Sequence, residues 1–155
     1  MSRIKKIGLT LLIVIIAIQF IQPVRNKSGQ VLPADISKIY SVPDSVQCVL
    51  KNACYDCHSD NTSYPWYSNI QPFGWWLASH ISRGKKELNF SEFGNYSDRR
   101  QRSKLFSIEK SIEDGSMPFP SYTLIHKNSR LTKEQKSLII NWADRIKDSL
   151  NNADQ

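Results

Sequence analysis

Cys54, Cys57 and His58 stand close enough in the chain to act as one chemical unit. In the run Cys54-Tyr55-Asp56-Cys57-His58, two thiols lie three residues apart and an imidazole follows at once. C-x-x-C-H is the attachment signature of c-type haem. Each thiol can add to one vinyl group of the porphyrin as a thioether, and the adjacent histidine is then set beneath the iron. Other uses of C-x-x-C fit less well. A thioredoxin-like redox pair belongs beside a βαβ pattern, which the chain lacks, and a zinc site needs further ligands from a second C-x-x-C or an H-x-x-x-H, also lacking. Cys54, Cys57 and His58 are therefore the expected cofactor-binding residues, for one covalent haem c per chain, with His58 as proximal iron ligand. Cys48 is left over, as a free thiol, a bridge to another chain or a small hydrophobe, and no catalytic role is expected of it.

Iron held by His58 has a second axial position, and Met, His, water or nothing at that position sets potential and reactivity. Met117, in Gly115-Ser116-Met117-Pro118, is the expected distal ligand, because proline stiffens a loop able to fold over the far face of a ring. His80 and His126 are the alternatives, and an open position is the fourth possibility. The two histidines could instead bond haem carboxylates, together with Arg83 or Tyr122.

The elements that must position these residues read as helices. Val46, Val49, Leu50 and Ala53 form one stripe over 43–54, with Cys48 pointing away. A second helix is expected from Pro72 to Gly84, with Phe73, Trp76, Leu77, His80 and Ile81 on one face. A third is expected from an N-cap at Ser97 to Gly115, with Leu105, Ile108 and Ile112 inward. A fourth opens at Thr132-Lys133-Glu134-Gln135, a capping box, and buries Leu138, Ile139, Trp142 and Ile146. No run alternates with period two, so the fold class is all-α, about four helices around one haem, with irregular loops at 59–71, 85–96 and 116–131. Tyr64, Trp66, Tyr67, Phe73, Trp75 and Trp76 crowd one stretch and are expected mostly as core, some of them as a dry wall at the ring edge.

At 155 residues, with 40% hydrophobic and 23% charged side chains, the chain has room for one globular domain and a terminal appendage. Of its net charge of +7, five units come from Arg3, Lys5, Lys6, Arg25 and Lys27. The remaining +2 is too little to hold phosphate backbones, which excludes nucleic acid as a partner. Lys5 and Lys6 precede the uncharged run Ile7–Ile21, closed by Pro23 and without the small residues of a cleavage site. Residues 1–23 are thus expected as an uncleaved signal anchor or transmembrane segment, 24–42 as a linker, 43–150 as the haem-binding domain and 151–155 as a C-terminal tail. The basic head predicts a single anchor in a bacterial inner membrane with the domain in the periplasm. The charged run over 83–104 is read as a solvated face, with docking of an acidic redox partner or anionic lipid as the alternative.

The order C-x-x-C-H, then Met117-Pro118, then a final helix with Trp142 resembles class I cytochromes c. A closer resemblance is to a small family of haem-binding domains from membrane-anchored bacterial cytochromes, carried by Cys54–Ser59, Tyr64–Ile70, Leu88-Asn89-Phe90-Ser91, Met117-Pro118, Ser121-Tyr122 and His126. The resemblance implies crossing first and last helices, Met117 as distal ligand, and a proline carbonyl, Pro65 or Pro72, bonded to His58. The expected function is a periplasm-facing monohaem cytochrome carrying single electrons between redox protein partners, an electron carrier and not an enzyme. The alternative is a haem-based gas or peroxide sensor, or a peroxidase, with an open or displaceable distal site.

Overall fold

The computed structural model describes residues 2–153, and over these it is all-helical. Eight α-helices follow in order among the described residues: α1 Arg3–Ile18, α2 Ile36–Ile39, α3 Asp44–Ala53, α4 Tyr55–His58, α5 Phe73–Glu87, α6 Asp98–Glu113, α7 Pro120–Ile125 and α8 Lys133–Ala153. The expected all-α class is borne out; of the extra short elements α2 lies in the stretch read as a linker, α4 carries the C-x-x-C-H motif, and the others fall in the stretches read as loops. Residues 59–71, 85–96 and 116–131 carry α7 and three 3-10 turns, at Trp66–Asn69, Phe90–Asn95 and Lys127–Ser129. The expected tail from 151 continues α8 to Ala153, and its last two residues lie outside the described ones.

α8 starts where its capping box requires. The Gln135 N–H donates to Thr132 Oγ1 at 3.2 Å, and the Thr132 N–H donates to Gln135 Oε1 at 2.9 Å. Ile139, Trp142, Ala143, Ile146 and Leu150 form its buried stripe, whereas Leu138, expected inward, is exposed. The Trp142 indole N–H donates to the Ser41 carbonyl at 3.3 Å. Arg102 donates to the Leu150 carbonyl and Lys136 to that of Ile112, so α6 and α8 run antiparallel. Leu105 and Ile112 of α6, Val46, Val49 and Leu50 of α3, and Ile36, Leu88, Phe90 and Phe93 share the core around that pair. Ser97 precedes α6 as expected, but its side chain makes no capping bond.

Two expectations about α5 are corrected. Gly84, read as its stop, lies inside it, and Phe73 and Trp76, read as core, are exposed, leaving Gly74, Leu77 and Ile81 as the buried residues. Trp66 is exposed as well, so much of the aromatic stretch is surface.

The N-terminal run differs most from its reading. α1 has 16 residues, a rise of roughly 24 Å against about 30 Å of bilayer hydrocarbon, and among the described residues no helix is long and apolar enough to cross a membrane. At its C-cap, Gln19 turns its side chain to the domain, donating to the Gln71 carbonyl at 3.2 Å and accepting from the Gln71 N–H at 2.9 Å. Residues 24–42, read as a linker, touch the domain at particular points, although Val24 and residues 27–31 are exposed. Ile36 is fully buried in the core, and Asn26 donates to the Ser59 carbonyl at 2.8 Å and to Thr62 Oγ1 at 2.9 Å. Spacing could not reveal this, since a single apolar residue in a polar segment carries no period.

Candidate functional site

The motif sits on its own turn. α3 ends at Cys54, whose backbone (φ −126°, ψ −42°) breaks the helix, and α4 carries Tyr55 to His58 in a new direction. Tyr55 stacks on Phe90 with ring centroids 5.1 Å apart, which fixes that turn against the core. α5 closes the other side. A Cβ on Gly84 would stand 2.6 Å from the Cys57 carbonyl oxygen, so only glycine allows the helix this close to the motif.

That approach aims backbone carbonyls at the imidazole. His58 Nδ1 lies 2.9 Å from the Gly84 carbonyl oxygen and 3.1 Å from that of Leu88. Carbonyls only accept, so Nδ1 carries the proton and the Nε2 lone pair is left for a metal. Burial lowers the His58 pKa, with the two carbonyls opposing it, and this keeps the ring in its neutral, ligating form. The proline carbonyl implied by the resemblance is corrected here: Pro65 accepts instead from Ser68, at 2.6 Å from its hydroxyl. Burial also pushes the thiols up, Cys54 to about 12 and Cys57 to about 11.

Asp56, inside the motif, has a structural use. Its Oδ2 accepts from the Tyr122 hydroxyl at 2.6 Å, and its Oδ1 accepts from the Ser63 N–H at 2.8 Å. Burial and this carboxylate together raise the Tyr122 pKa, so the phenol stays a donor. α7, and with it the Met117 loop, is thereby fastened to the C-x-x-C-H turn. The loop is fixed at its other end too. Gly115 (φ 74°) takes the left-handed conformation that ends α6, the Ser116 N–H donates to Asp114 Oδ1 at 2.8 Å, and the Met117 N–H donates to the Ser111 carbonyl at 3.0 Å.

Between these elements opens a cleft of two adjoining lobes, about 170 and 260 Å³, which share Ala53, Cys54, His58, Glu87, Met117 and Pro118. Together they reach the size of small-molecule clefts. Cys57, His80, Arg83, Phe119 and Tyr122 line the first lobe; Leu88, Phe90, Lys104, Ile108 and Leu131 line the second. His80 is held between Trp76 and Phe119, at ring-centroid distances of 4.4 and 5.6 Å, and burial followed by Arg83 lowers its pKa.

Of the expected site residues, Cys54, Cys57, His58, Met117 and His80 are brought to one cleft. His126 is not. It stacks on Tyr122 at 4.3 Å, meets the Tyr67 hydroxyl at 2.8 Å and lines a separate depression with Lys51 and Asn52. Cys48 is exposed, accepting from Asn52 Nδ2 at 3.6 Å. Most of the charged run is solvated, but Lys85 pairs with Asp60 at 2.5 Å and Lys104 lines the cleft. Sequence reasoning missed the Gly84 and Leu88 carbonyls and the Asp56–Tyr122 bond. Only the aspartate left a trace, as a charged residue inside the motif.

The donor set, an unprotonated imidazole nitrogen beside two thiols in an apolar cleft with a thioether available, fits haem. The comparisons agree. A family model described as a haem-binding domain matches residues 13–145, and the chain belongs to that family. No curated protein and no solved structure matches it.

Proposed function

Starting from a haem-binding domain, we propose that this chain is a monohaem c-type cytochrome that carries single electrons between redox protein partners. Cys54 and Cys57 would hold the porphyrin as thioethers, and His58, as proximal ligand, and Met117, as distal one, would hold the iron. Haem, when bound, supplies a one-electron iron couple. The chain's own residues do the rest. Gly84 and Leu88 orient His58 by accepting from Nδ1, which also raises the ligand's basicity. Asp56 and Tyr122 hold the Met117 loop in place, and a loop so fastened excludes water and keeps coordination the same in both oxidation states. Arg83 and Lys104, one in each lobe, supply positive charge for the haem carboxylates. The apolar run 7–21, although its helix is too short to cross a bilayer unaided, holds the chain at a bacterial inner membrane in this reading, with the domain in the periplasm, where covalent attachment of haem takes place.

The observation that carries this reading is the meeting of Cys54, Cys57, His58 and Met117 on one cleft, with His58 Nδ1 already engaged. Denaturing gel electrophoresis tests it. Haem should stay on the polypeptide and stain for peroxidase activity, and its loss to acid acetone would overturn covalent attachment. A second reading, a gas or peroxide sensor or a peroxidase, draws on His80. It lines the same cleft, so displacement of Met117 would leave an imidazole near the distal position.

A further inference from the structure

We propose that the N-terminal end of α5 and the loop before it form a bilayer-contacting face, with Ile70, Phe73 and Trp76 seated in the lipid headgroup layer. The inference rests on the anchor reading and adds to it which side of the domain meets the membrane.

The first observation is length. The first turn of α1 carries Arg3, Lys5 and Lys6, so its uncharged part, from Ile7 to Ile18, rises only roughly 18 Å against about 30 Å of hydrocarbon, a mismatch that must be met by thinning the bilayer or by apolar surface at the helix end. The second is attachment. The end of α1 is clasped to the domain: besides the Gln19–Gln71 pair, Gln22 donates to the Asn69 carbonyl at 3.2 Å, and the Trp75 indole N–H donates to the Ile21 carbonyl at 2.8 Å. Whatever surface surrounds this clasp is held at the level where α1 leaves the lipid.

That surface is apolar. Phe20 and Ile21, at the end of the run, are 84% and 62% exposed, and beside them Ile70, Phe73 and Trp76 are 42%, 57% and 43% exposed. Phe73 and Trp76, three residues apart, share a face of α5, and Trp76 continues through His80 to Phe119. Arg25 adds the charge that such a level selects. It donates to Ser68 and Asn69 and lies 4.2 Å from the Tyr64 ring centroid, which holds a guanidinium beside the clasp, in reach of lipid phosphate. Aromatic rings flanked by basic residues are the usual composition of a membrane–water interface. Beyond Lys6, α1 is uncharged on all faces with every side chain from Ile7 to Ile16 exposed, which favours lipid over a protein groove as the occupant. The haem cleft then begins one helical turn from the lipid surface, at His80.

The test is hydroxyl-radical footprinting of the full-length holoprotein in phosphatidylcholine/phosphatidylglycerol vesicles, read by mass spectrometry. Phe106 of α6, 60% exposed, is the internal reference. Phe73 and Trp76 should be oxidised several-fold more slowly than Phe106 in vesicles, and at rates comparable with it once the vesicles are dissolved in detergent and residues 1–23 removed by proteolysis. If Phe73 and Trp76 react as fast as Phe106 in vesicles while residues 7–18 stay protected and the chain resists carbonate extraction, the anchor stands and the docking face is wrong. If carbonate releases the chain, both readings fall. A Phe73→Glu/Trp76→Glu variant provides a second arm: it should stay in the membrane but lose the Ile70 protection, and unchanged protection would also overturn the proposal.

Discussion

His58 Nδ1 lies 2.9 Å from the carbonyl oxygen of Gly84, and the absent side chain of the same glycine is what admits that carbonyl. One residue of α5 thus sets both the distance to the motif and the orientation of the imidazole. A Cβ there would meet the Cys57 backbone, which has little room to yield. Gly84→Ala should cost about 1–3 kcal/mol in denaturant unfolding of the holoprotein and reduce the yield of haem-loaded protein.

Met117 and His80 both line the cleft, and their substitution separates them. Met117→Ala should abolish the weak charge-transfer band of a thioether on ferric haem and lower the reduction potential, because a soft thioether favours the reduced iron. His80→Ala should leave the band. A high-spin spectrum from His80→Ala, with no such band in the parent protein, would identify a bis-histidine site.

Tyr122→Phe removes only the hydroxyl that donates to Asp56. A bond to a carboxylate contributes about 1.5–3 kcal/mol, and the loss should concentrate on the Met117 loop. The thioether band should melt at lower temperature than in the parent protein, ahead of the far-ultraviolet helix signal. Simultaneous melting of the two would show that the bond is not a clamp on this loop.

Alkylation counts the free thiols. Cys48 is exposed, whereas Cys54 and Cys57 are consumed if haem is attached through both. The unfolded holoprotein should take up one alkyl group, mapped to Cys48. A second group on Cys54 or Cys57 would mean single-thioether attachment.

Ile36 is buried in the core although it belongs to a segment that reads as a tether. Ile36→Ala should cost about 2–5 kcal/mol, and a chain beginning at residue 43 should lose at least as much. A denaturation midpoint unchanged by truncation would restore the tether.

What the sequence alone determined is what depends on residues within a turn or two of one another. The C-x-x-C-H spacing, the stripes of α3 and α8, the Thr132–Gln135 capping box and the glycine that ends α6 are all of this kind, because helical geometry converts short spacings directly into shared faces. The same local rule misled where burial did not follow period: Phe73, Trp76 and Leu138 have helical spacing, yet each is exposed. Tertiary structure alone decided which distant residues meet. It brought Met117 and His80 to the motif and left His126 behind Tyr122, chose the Gly84 and Leu88 carbonyls over a proline for His58, and folded Asn26 and Ile36 onto the domain. Such meetings depend on how closely whole helices approach, and that distance is set by side chains on both partners, down to the missing Cβ of Gly84, so no spacing within one segment encodes it.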